Sequence, residues 1–133
     1  LYSRGVEILL HAGDIVSPFA AKKLAAATVP VIAAYGNNDG EKDGLAGVLD
    51  IDFAPRKITL ADKNIVMAHS ETQIDAPERA GAHVLIFGHT HKAFHNPGPP
   101  LELNPGECGG WLTGRPTVAV LDTDTLDAEI IEL

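Results

Sequence analysis

The chain has 133 residues, room for one domain (1–133) with one sizeable hydrophobic core. Its formal charge of −8 argues against a surface built for nucleic acid or for an anionic membrane, both of which repel an acidic face. No apolar run approaches the ~20 residues that span a bilayer, and no signal peptide is visible. A single cysteine, Cys108, leaves no intrachain disulfide framework and fits a reducing cytoplasm, the expected location.

Val6 to Leu10 is an apolar run broken only by Glu7 and followed by His11-Ala12-Gly13-Asp14. It predicts a buried strand of the parallel kind, ending in a turn that presents Asp14. Ser17 as N-cap and Pro18 at the first helical position start a helix that good helix formers carry to Ala27. Val31 to Tyr35 is a second apolar strand, stopped by Gly36-Asn37-Asn38-Asp39-Gly40. Strand, helix and strand in that order read as a right-handed βαβ unit. Ligands of open α/β sheets gather beyond the carboxyl ends of the strands, so Asp14 and Asn37 fall on one edge.

Leu45 to Leu49 has the makings of a short helical turn, weakened by Gly44 and Gly47. Arg56 to Leu60 and Asn64 to Ala68 predict a hairpin about Ala61-Asp62-Lys63, its second strand running into His69-Ser70. Ala76 to Gly81 has room for one or two helical turns, entered through Asp75 and Pro77. Val84 to Phe87 is a short buried strand cut off by Gly88, with His89-Thr90-His91 beyond it. Phe94 to Pro100 reads as loop, Leu101 to Leu103 as a brief strand, Asn104-Pro105-Gly106 as a turn and Cys108-Gly109-Gly110 as a corner. Thr117 to Leu121 and Leu126 to Leu133 form a closing hairpin across Asp122-Thr123-Asp124.

Two imidazoles two residues apart, past a strand's end, tend to point to one side and can reach a shared centre. Neutral imidazole is the commonest metal ligand. Taken singly, Asp14 also fits an Asx turn, Asn37-Asn38 a turn pair, and His69 a satisfied, half-buried histidine. Taken together, four strand ends carry ligand-type residues: Asp14, Asn37, His69, and the pair His89 and His91. Mixed carboxylate, amide and imidazole donors suit Mn²⁺, Fe²⁺, Ni²⁺ or Zn²⁺. A bridging carboxylate such as Asp14 is the natural link between two such ions. Of the remaining candidates, His11 reads as a structural or orienting histidine and His83 and His95 as surface residues. Cys108 reads as a packing or loop residue, and Trp111 as a core or loop anchor.

Gly13-Asp14, Gly36-Asn37, His69 and Gly88-His89-Thr90-His91, in that order, resemble the signature of the calcineurin-like metallophosphoesterases. Asn37-Asn38-Asp39 and Asn104-Pro105-Gly106-Glu107-Cys108 resemble the small prokaryotic phosphodiesterase branch. The resemblance covers essentially the whole chain and implies a four-layer αββα sandwich with a dinuclear site at one edge. It implies that Asp14 bridges two divalent cations, Mn or Ni ahead of Zn or Fe. Asn37, His69 and His89 complete one ion's shell, and His91 binds the other. The implied activity is hydrolysis of small phosphate esters, diesters ahead of monoesters, by metal-bound hydroxide. The alternative is a non-catalytic scaffold of the same fold that binds a partner protein; retention of all five ligand-type residues favours the enzyme.

The departures are specific. The family begins with a strand bearing Asp-x-His, whose side chains share an ion with the counterpart of His91, and nothing before Asp14 matches it. With Leu1 in place of an initiator Met, the expectation is an N-terminally incomplete sandwich lacking that strand and the helix after it. Ser70 stands where many relatives have Gly. Asn38 stands where larger relatives have His; it can hydrogen-bond a phosphate oxygen but cannot serve as a general acid. Homo-oligomerisation is left open.

Overall fold

A computed structural model describes residues 5–14, 18–37, 39, 42–108 and 113–133, apart from the side chains of 18–21 and 42. The opening βαβ unit forms, but its first strand covers only Leu9–His11 rather than Val6 to Leu10, and its helix ends at Ala25 rather than Ala27. Strand β1 (Leu9–His11) leads through α1 (Pro18–Ala25) to β2 (Val31–Ala34), which runs parallel to it with Leu9 opposite Val31 and His11 opposite Ala33. A short helix, α2 (Lys42–Ala46), then feeds β3 (Asp50–Asp52), which pairs parallel with the other side of β2. The sequence reading has no counterpart to β3. Only Ile51 is buried there, between two exposed aspartates, so three residues carry too little apolar pattern to announce a strand.

A second, five-stranded sheet has the order β4-β5-β6-β8-β7. β4 (Arg56–Leu60) and β5 (Lys63–Ala68) form the expected hairpin. Its turn is two residues rather than three, because Lys63 already pairs with Leu60. Ala61 and Asp62 both take positive φ, 49° and 61°, the geometry whose twist matches the flanking strands. β6 (Val84–Phe87) and β8 (Leu101–Asn104) extend the sheet in parallel, and β7 (Phe94–Asn96) closes it antiparallel on β8. β7 lies in the stretch expected to be loop. All three of its residues are exposed, so no inside–outside alternation marks it in the sequence. β9 (Thr117–Asp122) and β10 (Asp127–Glu132) make the closing hairpin.

Alternation along the strands separates three apolar layers. Ile65 and Met67 of β5, Val84 and Ile86 of β6, and Leu101 and Leu103 of β8 join Ala34 of β2 in a central cluster, with Leu10, Ile32, Ala119 and Ile130 packed against it. The two sheets therefore face each other across this layer. Ala33 and Ile51, on the opposite face of the first sheet, pack with Leu45, Leu49 and Leu24 from the helical side. Val66, Ala68, Leu85 and Phe87, on the outer face of the second, pack with Ile74 and Ala82. Helices, sheet, sheet, helices is the αββα order. Burying each Val, Leu, Ile or Phe of β6 contributes about 1.5–3 kcal/mol relative to leaving it exposed. Arg56 ties the sheets at one border, donating to the Ala33 carbonyl (3.0 Å) and to the Asp50 carboxylate (3.0 Å).

The outer helical layer of the second sheet rests on two capping boxes. Ser70 caps a 3-10 turn (Glu71–Gln73), its own N–H donating to Gln73 Oε1 at 2.9 Å. Asp75 caps α3 (Ala76–Ala80), exchanging bonds with Glu78 at 2.8 and 3.1 Å. No helix among the described residues is long and apolar enough to cross a membrane.

Candidate metal centre

β1, β2, β5 and β6 all deliver their carboxyl ends to one edge of the sandwich. The first two belong to one sheet and the last two to the other. Asp14 follows β1, Asn37 follows β2, His69 follows β5 and His89 follows β6. The loops after β1 and β2 touch because neither carries a side chain at the contact. A Cβ on Gly13 would sit 2.7 Å from Gly36 N and 2.8 Å from His69 Nδ1, and one on Gly36 would sit 2.3 Å from Asp14 Oδ1.

His69, 5% exposed, is the centre of the cluster. Its Nδ1 lies 2.8 Å from the Ala12 carbonyl oxygen. A carbonyl only accepts, so Nδ1 carries the proton and Nε2 presents its lone pair. Around that lone pair stand Asn37 Oδ1 at 2.6 Å, His89 Nδ1 at 3.1 Å and Asp14 Oδ2 at 3.4 Å. Asn37 Oδ1 also lies 3.3 Å from His89 Nδ1. Four acceptor-type atoms from four loops thus face one another. Hydrogen bonds account for these contacts only where the His89 tautomer and the Asn37 amide orientation supply the donors. A cation satisfies them all, and donors ~2.0–2.2 Å from one ion stand roughly 3–3.5 Å apart, close to the spacing found. Among the described residues His, Cys, Asp and Glu alone form no group of three or more that would hold an ion, and the cluster here includes the Asn37 amide.

The backbone supporting these donors is strained where they sit. Asp14, His89 and His91 all take positive φ (61°, 66° and 61°), a conformation uncommon outside glycine and enriched at functional sites. This changes the geometry expected of the His pair. Alternation would aim two residues at i and i+2 to one side only if the chain stayed extended. With both histidines left-handed, they part: His89 meets His69 and Asn37, whereas His91 Nδ1 lies 3.7 Å from Glu107 Oε1. The structure therefore brings together four of the five expected ligands and sets His91 beside a carboxylate.

Three polar residues without an assigned role in the sequence hold this edge in place. Asp39, 1% exposed, accepts through Oδ2 from the backbone N–H of both Asp14 (3.0 Å) and Gly36 (2.7 Å), clamping the loops of β1 and β2 together. Asn104, also 1% exposed, donates to the Gly88 carbonyl (2.9 Å) and to Thr90 Oγ1 (3.1 Å), and accepts from Gly106 N–H (3.0 Å). It fixes the turn on which His89 and His91 stand. Glu107, buried, accepts from Thr113 N–H (2.9 Å) and hydroxyl (3.0 Å) through the oxygen that does not face His91. The available signal was compositional: acids and amides inside Gly- and Pro-rich turns, where a buried polar group must find partners.

His11 is structural, as expected: its Nδ1 accepts from Gly13 N–H at 3.1 Å. Burial lowers its pKa below the usual histidine value, the charges of Asp39 and Asp14 oppose this, and His69 adds to it. His83 and His95 are exposed, and so is Cys108, which leaves it a loop residue rather than a packed one. Asn38 and Trp111 lie outside the described residues.

Beside the cluster opens a cleft of about 440 Å³. Asn37, His69 and His89 line it together with Tyr35, Phe53, Ser70, Thr72 and Gln73. It is within the range of small-molecule sites.

Residues 1–126 match the calcineurin-like phosphoesterase superfamily domain. The chain belongs to that superfamily. Phosphodiesterase MJ0936 of Methanocaldococcus jannaschii is 37% identical over 130 residues, which span 90% of this chain and 78% of that protein. The solved structure of a novel archaeal phosphodiesterase matches with a TM-score of 0.87 at 34% identity, over 99% of this chain and 86% of that one. Vacuolar protein sorting 29 from Cryptosporidium parvum matches with a TM-score of 0.65 at 18% identity, over 96% and 82% of the two chains, a likeness of fold alone. The α/β sandwich and the small prokaryotic branch expected from the motifs are both borne out.

Proposed function

We propose that this chain is a divalent-metal-dependent phosphodiesterase acting on small phosphate esters. The observation that carries this is the inward-facing donor set around His69 Nε2, to which Asn37, His89 and Asp14 contribute from three other loops. The family and the names of the relatives support hydrolysis of a phosphate ester. Asp14, Asn37, His69 and His89 would hold one ion, and Asp14 and His91 would contribute to a second. Mn²⁺ or Ni²⁺ fits this mixed oxygen and nitrogen set, as do Zn²⁺ and Fe²⁺. Such ions supply Lewis acidity toward a phosphoryl oxygen and an activated water as nucleophile.

The remaining work belongs to the chain's own groups. The Ala12 carbonyl fixes His69 in the tautomer whose Nε2 is free to ligate. The Glu107 carboxylate, 3.7 Å from His91 Nδ1, places a negative charge beside that ring. Asn38 is assigned to hydrogen-bond a phosphate oxygen. No His occupies that position to protonate the departing alcohol, which favours esters with good leaving groups.

The test is hydrolysis of bis-p-nitrophenyl phosphate with Mn²⁺ or Ni²⁺, run on this chain and on one extended at its N-terminus. Metal-dependent turnover is expected. An extended protein that binds metal yet hydrolyses no phosphate ester would overturn the proposal.

A further inference from the structure

Phe53 is 66% exposed, an unusual position for a phenyl ring, and it lines the cleft beside the ligand cluster. One face of its environment is already built. Tyr35, 8% exposed and itself part of the apolar layer under α2, lies with its ring centroid 5.0 Å away at 54°, a tilted aromatic pair that braces the ring from below. The backbone is pinned as well, Phe53 N–H donating to Asp52 Oδ1 at 2.7 Å. The rest of the ring is left to solvent.

The other wall of the cleft is polar. Ser70, Thr72 and Gln73 come from the capped 3-10 turn, which presents two hydroxyls and an amide. Gln73 Oε1 is engaged by Ser70 N–H, so the Gln73 amide offers its NH₂ as a donor. A lining that combines the Phe53 ring, the mutually bonded Ser70 and Thr72 hydroxyls, the Gln73 amide and Asn37, His69 and His89 suits a flat, partly polar group attached to a phosphate. Aliphatic arms gain little from a ring face, whereas every planar π-system stacks on one.

We propose that Phe53 is the stacking platform of a subsite that takes a planar aromatic ester arm of the substrate. The inference rests on the phosphodiesterase reading and specifies which diesters that site prefers. Phe53 is then a specificity-determining residue: it sets which arm is held and leaves the donor cluster untouched. Either an aryl alcohol or a nucleobase supplies the required planar group.

The experiment measures dissociation constants by calorimetry for the Mn²⁺-supplemented full chain. The probes are methylphosphonate, phenylphosphonate and adenosine 5′-methylphosphonate, tested on wild type, Phe53→Ala and Phe53→Leu. At least one aromatic phosphonate is expected to bind about five- to twenty-fold more tightly than methylphosphonate. That preference is expected to vanish in Phe53→Ala and to shrink in Phe53→Leu, which keeps an apolar contact for Tyr35 but has no ring face. Methylphosphonate affinity stays constant throughout. Whether phenyl or adenosine gains more identifies the source of the ring. Equal binding of all three probes by wild type, or a preference surviving in Phe53→Ala, overturns the subsite while leaving phosphodiester hydrolysis standing. Failure of every phosphonate to bind, together with absent turnover of bis-p-nitrophenyl phosphate, overturns both.

Discussion

Asp39 accepts the backbone N–H of Asp14 at 3.0 Å through the same carboxylate oxygen that takes the N–H of Gly36 at 2.7 Å. A buried side chain thereby spaces the two loops that carry Asp14 and Asn37. Truncation in Asp39→Ala leaves two buried donors unsatisfied and is expected to lower unfolding free energy by about 3 kcal/mol. Asp39→Asn keeps one acceptor oxygen and is expected to lose about half as much. Urea midpoints report both, and a midpoint unchanged in Asp39→Ala would refute the clamp.

His89 is exposed and lies beyond the end of β6, outside the packed layers. Without added metal, His89→Ala is therefore expected to change folding stability by less than about 0.5 kcal/mol. Metal-dependent hydrolysis should nevertheless fall by about a hundredfold or more, since even residues that only orient ligands cost 10–100-fold. Thermal melting and turnover measured on the same preparation separate the two effects. Full turnover in the variant would remove His89 from the ligand set.

Acid should weaken the fold through His11. Burial depresses its pKa in the folded chain, whereas the unfolded chain titrates near the ordinary value of about 6.5. Around and below that pH the unfolded state binds more protons, so stability present above ~6.5 is lost as pH falls toward the folded pKa. Protonation would also remove the lone pair that accepts from Gly13 N–H. Compared between pH 7.5 and 5.5, wild type should lose more stability than His11→Gln, by at most about 1.4 kcal/mol per pH unit. Parallel pH profiles for the two proteins would contradict the assignment.

Asn104 satisfies Gly88, Thr90 and Gly106 at once from a position 1% exposed to solvent. Asn104→Ala orphans a carbonyl and an N–H in the interior, with an expected cost of about 2–4 kcal/mol. Chemical denaturation gives the number. A loss under 1 kcal/mol would mean that water replaces the amide.

Much of this architecture could be read from residue order because burial imposes a pattern. Val84–Phe87 emerges with the expected bounds, being four apolar residues closed by Gly88, and the same logic located β2 and both hairpins. Strands β3 and β7 escaped because three residues at a sheet border need bury almost nothing. At the metal centre, Asp14, Asn37, His69 and His89 were legible as polar residues at the ends of apolar strands. That His89 and His91 part was implied by the family resemblance, but its backbone cause was not legible: left-handed φ at both histidines, on the turn that Asn104 braces. Asp39, Glu107 and Phe53 stayed silent for a related reason: their partners lie far along the chain or their surroundings exist only after folding.

The donor cluster draws Asp14 and Asn37 from one sheet and His69 and His89 from the other. The apolar layer between those sheets holds them face to face, and Arg56 adds a directional tie at one border. An ion held by that cluster would act as a rivet through both plates. Its affinity and the stability of the sandwich would then be linked: loosening the sheets would weaken metal binding, and removing the metal would lower stability.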